Sequence, residues 1–277
     1  MPWRTRVLRS WTGRADRPHD VRRRTDSAVS SVSRTEPVRR PTVIELRQYT
    51  LRPGCRDELI ELFEREFVET QEETGMIVLG QFRDLDHPDR FVWLRGFTDM
   101  EARREALSAF YDGPVWAAHG PRANATMVDS DNVLLLRPSP AGCVFPRDPS
   151  RRREAGAEAP ERFVAAALWY VPPGSHDGSA LIQDGLVPVL RRTGPAPFAV
   201  LTTEPAANTF PRLPVRTGEN VVAVLTSYPD EDAHRRHLAD TAAHPLVRNE
   251  ILPAVEQARI AAPQLLRLAP TVRSLIR

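Results

Sequence analysis

The sequence predicts an α+β fold in which tandem ferredoxin-like β-α-β-β-α-β repeats form an in-chain dimeric α+β barrel. Short motifs recur in the same order: "TLRPG" and "YVPPG" each end a strand-like run, and "FTD" (97–99) is matched later by "YPD" (228–230). Patterns typical of strands and helices also follow one another in the same order in both parts. Such a unit carries its helices on one face of the sheet, so a second copy would cover the other face.

The first copy supplies each predicted element in turn. Strand 43–51 ends at a Pro53-Gly54 turn, and residues 56–73 place Leu and Phe at helical spacing. Asp99 is a typical N-cap for the next helix, which the Gly113-Pro114 pair ends. The other predicted elements are strands 76–82, 90–97 and 132–138, and a helical stretch interrupted at Gly120-Pro121.

The second copy repeats this order with one longer loop. The Pro-rich segment "EPAANTFPRLPVRTG" (204–218) stands where the first copy has a short turn. The predicted strands are 163–171, 198–204, 219–228 and 264–269, and the predicted helical regions are 179–191, 230–242 and 246–258.

Composition shifts predict the domain boundaries. We expect a disordered Arg-rich arm at 1–41, a first domain at 42–138, a linker at 139–161 and a second domain at 162–277. Residues 1–40 contain eleven Arg against four acids, a net charge of about +7, with the Ser and Pro content typical of disorder. The linker is rich in Pro, Arg and Ala.

The overall composition narrows the class of protein. The 277 residues are 41% hydrophobic, which can support packed cores, while the absence of a long apolar run excludes a membrane span. A net charge of +2 does not favour a nucleic-acid partner. All 38 basic residues are arginine, so lysine chemistry is excluded. Cys55 and Cys143 lack metal-binding spacing and indicate a reducing cytoplasm, and no metal or cofactor is predicted.

Strand alternation gathers the candidate site residues on one face. Glu45, Arg47 and Tyr49 share a face of the first strand, and Trp93 and Arg95 share a face of the third. We expect these side chains to point into the barrel, toward the second sheet. The aligned residues of the second copy, Ala165, Ala167 and Trp169, would face them with small or apolar groups.

Two interpretations of this polar face remain open. In a binding pocket, Arg47 or Arg95 would hold an anionic or carbonyl-bearing ligand, Tyr49 would hydrogen-bond it and Trp93 would stack on it. Glu45 would be a general base if burial raised its pKa. Alternatively, Glu45 and the arginines form a buried structural network that only satisfies charge.

Several spaced motifs resemble the NIPSNAP family. They are "IELRQYTLRPG" at the first strand and turn, "RFVWLRGFTD" with the following "AFYDGPVW", and the closing "NVLLLRP". The resemblance covers about residues 42–138 well and 163–270 weakly. It implies ferredoxin-like halves in the dimeric α+β barrel superfamily, which includes cofactor-independent monooxygenases, haem-handling enzymes and non-catalytic binders. It implies no single activity.

Other residues are weaker candidates. Trp116, His119 and Asn124 are similar in type, though not in spacing, to side chains that haem-degrading members of this superfamily use. Trp116 is a ligand-binding candidate and His119 a catalytic one, against roles in packing and at the surface. His234 and His237 lie three apart on a predicted helix, but the charged residues around them favour a solvated face over a metal site.

Three functions compete on this basis. The first is binding of a small molecule between the two sheets without catalysis, and the second is a cofactor-independent oxygenase or isomerase acting on an aromatic or carbonyl compound. The third is an oligomeric scaffold. The expected partners are a small-molecule ligand and further copies of the chain, with no membrane and no specific nucleic acid.

Overall fold

Strands and helices alternate along residues 40–146 and 148–277, which this computed structural model describes. The strands are β1 (Val43–Leu51), β2 (Ile77–Asp84), β3 (Arg90–Phe97), β4 (Met127–Asp129), β5 (Val133–Cys143), β6 (Phe163–Tyr170), β7 (Ala199–Thr203), β8 (Val221–Tyr228) and β9 (Gln264–Pro270). The helices are α1 (Arg56–Leu62), α2 (Val68–Glu73), α3 (Met100–Tyr111), α4 (Pro114–Thr126), α5 (His176–Ala180), α6 (Val187–Thr193), α7 (Glu231–Ala243) and α8 (Leu252–Ala258). The arm predicted to be disordered lies outside the described residues, apart from Arg40 and Pro41.

Eight of the strands close into an antiparallel barrel. β1 pairs with both β3 and β5, and the ring runs from β3 through β2, β9, β6, β8 and β7 back to β5. The two halves of the chain meet at two seams, β2 with β9 and β5 with β7. The short strand β4 pairs with the end of β1. The predicted mixture of helix and sheet and the predicted barrel are therefore confirmed.

Apolar side chains from both halves fill the barrel. Ile44 and Leu46 of β1 belong to one buried cluster with Val164, Ala166 and Leu168 of β6. A barrel of eight strands is just wide enough for its interior to be filled by side chains. The space between the two sheets is therefore a packed core, and the predicted ligand pocket at that place is wrong.

The predicted direction of the polar face is also wrong. Glu45, Arg47 and Tyr49 of β1 and their neighbours on β3, Trp93 and Arg95, point outward to the helices. Inside the barrel these charges would meet mostly apolar side chains, whereas the helical layer supplies polar partners for them. The same reversal applies to β6, where Ala165, Ala167 and Trp169 face the helices of the second half.

Helices cover the outer face of each half-barrel. The predicted N-cap Asp99 accepts a hydrogen bond from the Ala102 amide (2.7 Å), and Asp230 caps α7 in the same way through Ala233 (2.7 Å). α1 continues into α2, and α5 into α6, through π-helical turns at Phe63–Phe67 and Leu181–Leu186. Within the described residues, none of the helices is long and apolar enough to span a bilayer.

The predicted linker begins inside the barrel. β5 extends to Cys143, where it pairs with Ala199 of β7, and Phe145 belongs to the barrel core. This extension follows from the closure of the ring, because β5 must cross from the first half to pair with β7.

Candidate functional site

Glu45 lies at the centre of a buried ion cluster on the helix-facing side of β1. Its Oε2 accepts hydrogen bonds from Arg47 Nη1 (2.7 Å) and Arg95 Nε (2.8 Å), and its Oε1 accepts one from Arg103 Nε (2.7 Å). The strand register sets Glu45 opposite Arg95, and α3 brings Arg103 over both. All four side chains are at most 1% exposed. We call these four residues the arginine cluster.

Aromatic rings flank the guanidinium groups of the arginine cluster. Arg47 Nε donates a hydrogen bond to Tyr49 Oη (2.8 Å). The Cζ atoms of Arg47 and Arg95 lie 5.6 Å and 5.0 Å from the Trp93 ring centroid, within the range of cation–π attraction. The structure thus brings together the five predicted site residues Glu45, Arg47, Tyr49, Trp93 and Arg95, although away from the barrel interior.

The charge of the arginines controls the protonation of Glu45. Burial alone would raise the pKa of this carboxyl, but the charges of Arg95, Arg47 and Arg103 outweigh burial and hold the pKa well below its ordinary value. Glu45 is therefore a carboxylate at neutral pH and a weak proton acceptor. The condition under which it would serve as a general base is not met.

The long loop of the second half, residues 204–218, covers the arginine cluster, and we call it the covering loop. Arg103 Nη1 donates to Asn208 Oδ1 (2.9 Å), and Thr209 Oγ1 donates to the carbonyl of Met100 (3.0 Å). Phe210 stacks on Tyr111 with ring centroids 6.0 Å apart. The loop insertion that distinguishes the two copies in the sequence is thus a contact between the halves.

Trp116 and His119 do not belong to the arginine cluster, and their contacts differ from those of Glu45. Trp116 packs against Phe67, Phe110 and Tyr111 in the aromatic layer under α4. His119 is 36% exposed, with its Nε2 3.5 Å from Glu66 Oε2. Their contacts are those of a packing residue and of a partly exposed side chain beside a carboxylate.

A cavity of about 180 Å³ lies between the outer face of the second half-barrel and its helices, and we call it the second-half cavity. Its wall is mostly apolar and includes Ala165, Ala167 and Val224 from the strands. Polar groups come from Trp169, Thr226, Tyr228 and His234. Among the described residues, Trp169 Nε1 is buried without a hydrogen-bond partner.

The two histidines of α7 are buried beside this cavity, so the predicted solvated face is wrong. His237 Nδ1 lies 2.8 Å from Tyr228 Oη and its Nε2 lies 2.9 Å from the Leu190 carbonyl. His234 stacks on Phe163 (4.9 Å between centroids), and burial, followed by the charges of His237 and Arg267, lowers its pKa. In the described part of the chain, no group of three or more His, Cys, Asp or Glu side chains could hold a metal ion.

A larger recess of about 330 Å³ carries no comparable chemistry. It opens beside Arg40–Thr42, Pro138 and Cys143–Phe145, next to residues that the structure does not describe. Burial raises the pKa of the Cys143 thiol to about 12, so this thiol is protonated and unreactive at neutral pH.

The NIPSNAP family model matches residues 44–141, which include β1 to β5 and the arginine cluster. Residues 44–141 form a NIPSNAP domain. The predicted resemblance is confirmed for this segment. No curated protein matches the chain in sequence.

Solved structures share the fold of the whole described chain. An anthrone oxidase-like protein is 13% identical with a TM-score of 0.53, and the match covers 84% of this chain and 93% of that one. A proposed monooxygenase from Fusobacterium nucleatum is 10% identical with a TM-score of 0.52, and the match covers 83% of this chain and 93% of that one. At these identities the likeness extends to the fold alone.

A NIPSNAP family protein from Agrobacterium tumefaciens matches the NIPSNAP domain alone. It is 22% identical with a TM-score of 0.34, and the match covers 36% of this chain and 94% of that one. The second half of the chain, which holds the second-half cavity, lies outside residues 44–141, which the family model matches.

Sequence reasoning missed Arg103 and the second-half cavity. Arg103, Leu107 and Phe110 share the buried face of α3, so the helical period would have marked Arg103 as an inward-facing charge. Nothing comparable marks the cavity, since it arises where Ala165 and Ala167 leave space beneath the helices.

Proposed function

We propose that this protein binds a small, largely apolar molecule, and that the second-half cavity is the binding site. The observation that carries this proposal is the cavity itself, about 180 Å³ in volume, with a largely apolar wall that also holds Thr226 and His234. Pockets for small molecules combine apolar walls with few polar groups in this way.

The volume and lining of the cavity set the class of ligand. An apolar cavity of about 150 Å³ accommodates a benzene ring, so about 180 Å³ suits a one-ring or short-chain compound. Thr226 and His234 add a hydroxyl and an imidazole to the wall. The ligand that fits is an aromatic or branched aliphatic compound with a carbonyl, phenol or enol oxygen.

A cofactor-independent oxygenase or isomerase is the second candidate function. The favouring observation is the imidazole of His234 in the cavity wall, since a neutral imidazole can accept a proton from a bound phenol or enol. The fold shared with an anthrone oxidase-like protein supports this candidate only at the level of the fold.

The strand order supports the finer description of the fold as two ferredoxin-like repeats. Neighbouring strands run β5-β1-β3-β2 in the first half and β9-β6-β8-β7 in the second, which is the same order of first to fourth strand in each. We take 42–138 and 162–277 as the two units.

Oligomerisation through strand edges is the least favoured proposal, because ring closure pairs both sides of the eight barrel strands.

Filling the cavity tests the binding proposal. Ala167→Leu adds a branched side chain to the cavity floor and should abolish the thermal stabilisation that a panel of one-ring phenols and aryl ketones gives to the wild type. Ala239→Leu makes the same change on the exposed side of α7 and should leave that stabilisation unchanged. Equal stabilisation of wild type and Ala167→Leu would contradict this site.

Dioxygen uptake, measured with the compounds that bind, distinguishes oxygenation from binding alone.

A further inference from the structure

The arginine cluster carries more positive charge than its buried partners neutralise. Arg47, Arg95 and Arg103 surround the single buried carboxylate of Glu45, and Asp131, a partly buried carboxylate, also interacts with Arg47. Among the described residues, these three guanidinium groups form salt bridges only with Glu45. All three guanidinium groups are buried, where water cannot offset the positive charge that remains in surplus. An uncompensated buried charge is strongly destabilising, so a purely structural network should be closer to neutral.

Unpaired donors concentrate at the same place. Of the ten buried side-chain atoms without a hydrogen-bond partner in the described residues, five lie on this face of the NIPSNAP domain or on the arginines above it. They are Arg95 Nη2, Arg103 Nη2, Trp93 Nε1, and Nε2 and Oε1 of Gln81. Four of the five are donors, so this region lacks hydrogen-bond acceptors.

The strand register makes these groups neighbours. Gln81, Trp93 and Arg47 form one cross-strand row of β2, β3 and β1. Arg95 and Glu45 stand in the next row on the same face. Rows on one face of a sheet are close enough for long side chains to reach a common point.

The covering loop closes this region with neutral groups. Asn208 and Thr209 give Arg103 an amide oxygen (2.9 Å) and a hydroxyl (3.4 Å) in place of a carboxylate. Gln71 likewise offers Arg95 an amide oxygen (3.0 Å). The covering loop and the helices thus accept single hydrogen bonds from these arginines, but these partners carry no negative charge.

We infer that the arginine cluster of the NIPSNAP domain binds a small oxyanion, a carboxylate or a phosphate, beneath the covering loop. The oxygens of the anion accept hydrogen bonds from Arg95 Nη2 and Arg103 Nη2, and its charge offsets the surplus. Arginine suits this role because its planar donors match the geometry of carboxylate and phosphate oxygens. This site is separate from the second-half cavity and does not depend on the function proposed there.

Thermal unfolding with defined anions tests the inference. At constant ionic strength, sodium acetate and inorganic phosphate are compared with sodium chloride on the wild-type protein. We expect a saturable rise in Tm, roughly 5 °C at an excess of 100 times Kd, with at least one oxyanion and not with chloride. The arm with the larger rise identifies carboxylate or phosphate as the ligand class. Equal Tm in all three salts would overturn the inference.

Two variants locate the site. Arg103→Met should lose the oxyanion-dependent rise, whereas Arg104→Met, which removes an exposed arginine one residue along α3, should keep it. Retention of the full rise by Arg103→Met would place the binding elsewhere and contradict the inference.

A direct measurement covers the case in which Arg103→Met does not fold. Wild-type protein is equilibrated with phosphate or acetate, desalted, denatured, and assayed for released anion by ion chromatography. About one oxyanion per chain is the expected result. Release of no more than a control protein carries would overturn the inference.

Discussion

Glu45 supplies the carboxylate that pairs with all three guanidinium groups of the arginine cluster. Its two oxygens accept hydrogen bonds from three guanidinium groups, and its pKa is held well below the ordinary value because their charges outweigh the effect of burial. The free energy of unfolding should therefore contain a large contribution from this one ionisation.

Replacing Glu45 with Gln should destabilise the protein by about 3–5 kcal/mol, because three buried positive charges would lose their counter-charge. The pH dependence should change as well. The folded-state pKa of Glu45 is depressed, so its contribution is fully present above the ordinary value of 4.5 and is lost as pH falls below it. Urea unfolding between pH 7 and pH 3 measures both effects.

Glu101→Gln is the matched control for this prediction. Glu101 is exposed on α3 and pairs with Arg104, so its replacement should change stability by less than about 0.5 kcal/mol. If Glu45→Gln unfolds with the wild-type free energy and the wild-type pH profile, the account of the arginine cluster is wrong.

The sequence could predict which side chains share a face but not which way the face points. Alternation places Glu45, Arg47 and Tyr49 together and Ile44 and Leu46 opposite them, and the structure agrees. In β1 both faces are buried, so burial alone does not distinguish the barrel interior from the helical layer. The decision rests on distant partners: Arg103 lies on α3, and Asn208 lies in the covering loop more than a hundred positions away.

At the scale of elements, the packing of α6 against α7 leaves no spare volume at Gly194. A Cβ atom there would lie 2.6 Å from Cδ2 of His237, and that ring is held at both nitrogens by Tyr228 and the Leu190 carbonyl. The absence of a side chain at residue 194 thus lets the end of α6 approach α7.

Gly194→Ala should destabilise the protein by about 1–3 kcal/mol, because the held His237 ring cannot move away from the added methyl group without losing a hydrogen bond. Gly185→Ala is the control within the same helical layer. Its Cβ would meet Ile251 at 3.4 Å, an ordinary contact, and alanine favours helical structure. Chemical denaturation compares the two, and a Gly194→Ala protein as stable as Gly185→Ala would contradict this packing argument.

At the scale of the whole molecule, one core joins the two halves. Leu46 of β1 and Leu168 of β6 belong to the same buried cluster, and the seams β2–β9 and β5–β7 connect their sheets by backbone hydrogen bonds. The described residues accordingly form one compact unit.

Leu46→Ala and Leu168→Ala should therefore each lower the unfolding free energy by about 2–5 kcal/mol. Both should shift the midpoint of the same single unfolding transition. Circular dichroism and tryptophan fluorescence would report coincident curves for both variants. Two separate transitions, with each substitution moving only one of them, would show that the halves unfold independently.

The position of β9 in the barrel has a consequence for biosynthesis. β2 emerges from the ribosome with one backbone edge open, and its partner on that side is β9, which is translated about 180 residues later. At roughly 5–20 residues per second, the nascent chain exposes that edge for on the order of ten seconds or more. Neighbouring chains on one polysome can exchange their last strands during this interval, so widely spaced ribosomes or chaperone-assisted translation should favour closure of the ring within one chain.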